Sequence, residues 1–148
     1  MNGNLKNSGG IIIALDFDGT VVAHEYPKVG QDIGAVPVLK KLVENGHQLI
    51  LNTMRSGHEL GDAIDWFEGN DIKLYSVGFN PTQANWTSSS KCYAELYIDD
   101  AALGAPLSIM TTKDEEGKEV AYGRPFINWN VVEEYLTNMG LINQDKVE

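Results

Sequence analysis

The chain has 148 residues, 43% of them hydrophobic and 22% charged, with a formal net charge of −10 and a single cysteine, Cys92. That length suits one domain with a sizeable core, and one cysteine excludes an internal disulfide and fits a reducing, cytoplasmic setting. The acidic balance argues against broad binding to nucleic acid or anionic membrane, and no apolar run or leader pattern reads as a membrane span or signal peptide.

Residues 1–10, rich in Asn, Gly, Ser and Lys, read as a flexible lead-in to a single core domain over 11–142. Residues 11–16 (IIIALD) read as a strand buried on both faces, as in a parallel sheet. It delivers Asp16 and Asp18, whose spacing points both side chains the same way, and Gly19 then lets the chain turn and offers backbone amides to a ligand. Residues 21–34 are predicted to form a loop with a short extended flap. Residues 35–45 read as a helix with Pro37 in its first turn and an apolar stripe of Val38, Leu39, Leu42 and Val43, closed by Gly46. A second strand over 47–53 ends at Thr53, and a second helix over 57–68 carries Leu60, Ile64 and Phe67 on one face.

A third strand over 72–77 leads into a polar stretch at 78–90, and Lys91 is predicted to open a short helix. Residues 95–100 form a fourth strand, again ending in paired carboxylates, Asp99 and Asp100. Residues 107–112 and 119–122 flank Asp-Glu-Glu-Gly-Lys as a hairpin. A last helix over 129–139 turns Val132, Tyr135 and Leu136 inward, and 143–148 is a flexible tail. Strands alternating with helices give an α/β fold with a parallel sheet, in which ligands bind beyond the carboxyl ends of the strands. Asp16, Asp18, Thr53, Asp99 and Asp100 all emerge there from three strands. Crowded carboxylates repel and call for a cation or a shared proton, and hard oxygen donors suit Mg²⁺. A bare acidic turn is the plain alternative for any one of these motifs; the convergence is what outweighs it.

The ordered set resembles the haloacid dehalogenase superfamily of mostly Mg²⁺-dependent phosphatases. Asp16-Phe17-Asp18-Gly19-Thr20 is similar to its first motif, residues 49–53 to the second, Lys91 to the third and Ile98-Asp99-Asp100 to the fourth. The run from Asp16 to Gly30, with His24, Tyr26 and Pro27, is similar to small bacterial members without a cap domain. The resemblance implies a three-layer, Rossmann-like sheet with the Asp16 strand central. It implies Asp16 as nucleophile forming an aspartyl-phosphate, and Asp18 as general acid and then base. Mg²⁺ would be held by Asp16, the Asp18 carbonyl and Asp99. Thr53 would bond the phosphoryl group and Lys91 would neutralise it. Asp100 would stand behind, orienting Lys91 or a metal-bound water.

Gly19, Thr20, Thr53, Met54, Arg55 and Lys91 are thus the phosphate- and substrate-binding candidates, with Arg55 read as a substrate clamp or a surface arginine. His24 and Tyr26 line the entrance or belong to a rigid turn; His47 and His58, without metal-ligand spacing, are structural; Trp86 packs over its loop. No cap domain fits between the motifs, so the site is expected to be open. That suits a small phosphorylated substrate, the phosphorylated end of a larger molecule, or a homo-oligomer that supplies a lid. A polynucleotide end phosphatase is the enzymatic alternative, weakened by only 11 Lys and Arg. From another class come a phosphoryl-accepting receiver domain and a non-catalytic phosphate-binding protein; a receiver places its accepting Asp on a middle strand, and the strand at 72–77 lacks one.

Overall fold

The computed structural model describes residues 9–143, so most of the expected lead-in and nearly all of the expected tail lie outside the described residues. Four strands, β1 (Ile12–Leu15), β2 (Gln48–Leu51), β3 (Ser76–Val77) and β4 (Leu96–Ile98), form a parallel sheet in the order β3-β2-β1-β4. Three helices, α1 (Ala35–Glu44), α2 (Gly57–Gly69) and α3 (Trp129–Asn138), complete a mixed α/β fold. β1 is paired on both edges and covered on both faces, and the second of these is why its residues are apolar without alternation.

Register decides which residues share a face. Ile13 lies beside Leu49 and Leu96, and Leu15 beside Leu51 and Ile98. With them cluster Val38, Leu39 and Leu42 of α1, Ala63 and Phe67 of α2, and Trp129, Val132 and Leu136 of α3. All three helices therefore feed one core. The other face, Ala14 and Ile50, is closed by Cys92 and Ala94 of the crossover between β3 and β4. Burial among these residues raises the thiol pKa of Cys92.

That crossover departs from expectation, because no helix opens at Lys91. A single 3-10 turn forms earlier, at Gln83–Asn85. The buried amide of Gln83 takes over the backbone bonding instead. Its Nε2 donates to the Ser89 and Lys91 carbonyls at 2.9 and 2.7 Å, and its Oε1 accepts from the Tyr93 amide at 2.9 Å. Thr87 and Ser89 bond the amides two residues on, as these residues do when they compete with a helix. The third strand is also shorter than expected, two residues rather than six.

The helix ends follow local chemistry. The N-cap of α1, Gly34, has no side chain to cap it, and Asp32 Oδ1 two residues earlier accepts from Ala35 N at 2.8 Å; Asn128 accepts from the amides of Asn130 and Val131 and caps α3. On α3, Val132 and Leu136 face the core as expected, but Tyr135 is half exposed. Positions 129, 132 and 136 already fill the inward stripe, which leaves 135 at its edge. His47 is structural: Nδ1 accepts from Ile11 N at 3.1 Å, and Nε2 donates to the Leu141 carbonyl at 2.6 Å. His58, by contrast, stands at the surface near Asp62.

β5 (Leu107–Lys113) and β6 (Glu119–Ile127) pair antiparallel into the expected hairpin, longer than read from sequence and exposed along most of its length. Its root is fixed where Ile127 N donates to the Gly19 carbonyl at 2.9 Å.

Candidate active site

The loop after β1 is wound tightly. Phe17 O accepts from the amides of Thr20 and Val21 at 3.1 and 2.9 Å, and Trp129 Nε1 donates to Thr20 O at 2.7 Å. Gly19 has φ 76°, and a Cβ there would run into the His24 ring and the Asp100 carboxylate. Glycine is required at this position both for backbone conformation and for space. Its amide is not offered to a ligand, however, since it donates to Val22 O at 2.8 Å.

Asp16, Asp99 and Asp100 come together, each presenting a carboxylate oxygen within 4.8 Å of the others. Thr20, fully buried, is inserted between them. Its hydroxyl lies 2.7 Å from Asp16 Oδ2 and 3.2 Å from Asp100 Oδ1, and accepts from the Asp100 amide at 3.0 Å. The Thr20 hydroxyl has one proton for the two carboxylates and so ties the acids together. Asp100 Oδ2 meets His24 Nε2 at 3.1 Å, and the same nitrogen lies 3.2 Å from Pro125 O at the hairpin root. Asp100 is therefore braced by Thr20 and His24, not by Lys91. Asp99 Oδ1 accepts from the Ala101 amide at 2.8 Å.

The pKa of Asp16 is raised to about 7, first by burial and then by Asp100 and Asp99, against the lowering pull of the Thr20 hydroxyl and the Phe17 amide. The consequence for stability has a definite sign. A carboxyl whose folded pKa exceeds its unfolded value of 3.8 binds more protons when folded, so its stabilising contribution is full below 3.8 and is lost as pH rises to about 7. Metal-free protein is expected to lose a few kcal/mol of stability from this group across that window. Urea titrations in EDTA between pH 4 and 7.5 check this, with Asp16→Asn expected to flatten the slope.

The remaining candidates are dispersed. Asp18 is outside the cluster and forms a bidentate pair with Arg55, at 2.8 Å to Nε and 2.7 Å to Nη2. Arg55 does not lie on the surface, one of its two expected places: its side chain is 1% exposed and paired with Asp18. Its pKa is raised, chiefly by the hydrogen bond to Asp18. Thr53 Oγ1 accepts from the Arg55 amide at 3.1 Å, and the Met54 side chain is almost wholly exposed. Lys91 is not brought to the acids; its ammonium lies 5.4 Å from the centre of the Tyr97 ring. Trp86 packs edge-on to Tyr93 at 5.4 Å but stays largely exposed.

No protein-family model and no curated protein matches the chain. A solved structure of a conserved protein of Bacteroides thetaiotaomicron does, at 32% identity, covering 87% of this chain and 91% of that one with a TM-score of 0.66. The two chains belong to one family. The likeness runs through nearly the whole of the Bacteroides relative, so the overall fold is shared.

Sequence reasoning missed three partnerships: Thr20 between the acids, His24 on Asp100, and Arg55 on Asp18. The first had a signal, since a threonine four residues beyond Asp16, across a glycine turn, is within reach of the acids that turn delivers. The other two join segments 76 and 37 residues apart, which no local pattern relates.

Proposed function

We propose that the chain is a Mg²⁺-dependent phosphohydrolase of the haloacid dehalogenase type, acting on phosphomonoesters through a phosphorylated Asp16. The observation that carries this is Asp16 itself: a half-buried carboxylate at the end of the central strand, with Asp99 and Asp100 beside it. Three such oxygens fit a hard divalent cation, and the raised pKa of Asp16 follows first from its burial and then from Asp100 and Asp99 beside it. Asp16, Asp99 and the Asp18 carbonyl would hold Mg²⁺, which when bound would stabilise negative charge on the phosphoryl oxygens.

An Asp16 carboxylate oxygen attacks phosphorus, the bond to the leaving oxygen breaks, and that oxygen takes a proton. Water then attacks the aspartyl-phosphate, loses a proton, and inorganic phosphate departs. Asp18 would handle both protons, giving one up only after one of its two bonds to Arg55 opens and that oxygen is protonated. Thr20 keeps Asp16 oriented, and Trp129 fixes Thr20 in turn. The Rossmann-like reading belongs to the same proposal and is supported by β1 lying interior to the parallel sheet; the expected third layer is an irregular crossover rather than helices.

Asp99 has the freer carboxylate, while both oxygens of Asp100 are engaged by Thr20 and His24. Asp99→Asn is therefore expected to weaken Mg²⁺ binding about tenfold or more, and Asp100→Asn by less. Isothermal titration with Mg²⁺ compares them, and equal losses would show that the two roles are misassigned. The function as a whole is tested by a screen of sugar phosphates, nucleotides and 3′- or 5′-phosphorylated oligonucleotides with Mg²⁺; no release of phosphate from any of them would reject it.

A further inference from the structure

The Arg55 guanidinium has no donor to spare. Beyond its two bonds to Asp18, Nη2 donates to Lys28 O at 2.6 Å, and Nη1 donates to Pro27 O and Glu59 O, each at 3.2 Å. Its five N–H groups thus have five partners. The group also lies 5.0 Å from the centre of the buried Phe17 ring and 5.1 Å from that of the exposed Tyr26 ring. Three separate pieces of chain meet on it: the turn after β1, the first turn of α2, and the Glu25 to Lys28 turn at the rim. That last turn has one internal backbone bond, Lys28 N to Glu25 O at 2.9 Å, and belongs to no helix or strand.

We propose that Arg55 is a positioning residue that fixes the Asp18 carboxylate and the rim turn in one register on α2, and touches no substrate. The inference rests on the phosphohydrolase reading, in which Asp18 handles the protons. Lysine cannot replace it, because a point charge with three donors cannot span a carboxylate and three carbonyls at once. Arg55→Lys keeps the charge and loses the register.

The test compares wild type, Arg55→Lys, Asp18→Asn and the double variant, each with Mg²⁺ and p-nitrophenyl phosphate. It reads kcat, KM, inhibition by inorganic phosphate, and hydrogen exchange over residues 24–29. Arg55→Lys is expected to lower kcat about 100-fold, the scale of a reacting group misplaced by an ångström. KM and phosphate inhibition should move less than about threefold, exchange at 24–29 should rise while α1 is unchanged, and the double variant should be no slower than Asp18→Asn alone. A tenfold loss of phosphate inhibition in Arg55→Lys, additive losses in the double variant, or unchanged exchange at 24–29 would each overturn the proposal. Absence of turnover in the wild type would instead reject the phosphohydrolase reading. Exchange would then still decide whether Arg55 holds the rim turn.

Discussion

Asp16→Asn is expected to abolish phosphate release from every ester the wild type accepts, by at least about a thousandfold, or roughly 4 kcal/mol in transition-state stabilisation. An amide oxygen is a far poorer nucleophile than a carboxylate, and no neighbour can take over. Asp100 is held on both oxygens by Thr20 and His24 and Asp18 by Arg55, while Asp99 would be taken up by the metal. The variant should stay folded. Asp16→Asn removes the cost of ionising a buried carboxyl beside Asp99 and Asp100, so the metal-free variant should be at least as stable as wild type at pH 7.5. Steady-state rates and urea unfolding on the same preparation separate the two effects. Turnover near the wild-type rate would remove Asp16 from the mechanism; loss of both turnover and fold would leave its role to be shown by labelling.

Removing the metal is expected to have an effect as large. In EDTA the wild type should release no phosphate, and excess Mg²⁺ should restore it. Binding to the native state alone stabilises it by RT ln(1 + [L]/Kd), about 2.7 kcal/mol at a hundredfold excess over Kd. Mg²⁺ should therefore raise the melting temperature of the wild type and have much less effect on Asp99→Asn. Because the cation displaces a proton from Asp16, its affinity should climb with pH up to about 7 and level off above. Full turnover in chelator, or affinity independent of pH, would contradict the metal assignment.

The parts of this molecule that were legible in its sequence are those governed by local rules. The apolar run before Asp16 predicts a strand covered on both faces, and β1 has Ile13 and Leu15 in one core cluster and Ala14 in the other. The stripes of α1 and α2 follow from helical period, and the hairpin from its turn. What did not show is what distant segments do to one another. A lysine after three serines reads as a helix start, yet Gln83 captures the backbone of residues 89–93. Asp16, Asp99 and Asp100 converge because strand ends converge, which topology alone predicts. Arg55 reads as a free cation near them, and its capture by Asp18 and two rim carbonyls depends on the path of the 21–34 loop. That path is set by Gly19, His24 and Asp32 together, and no pattern in the chain states it.

The most direct measurement is mass mapping of Asp18→Asn after incubation with Mg²⁺ and an activated phosphoryl donor such as acetyl phosphate. This variant keeps the attacking carboxylate but is slow to hydrolyse the intermediate. A phosphoryl adduct on Asp16 is expected, formed with Mg²⁺, lost in EDTA and absent from Asp16→Asn/Asp18→Asn. An adduct on any other residue, or phosphate release by Asp18→Asn at the wild-type rate with no adduct at all, would contradict it.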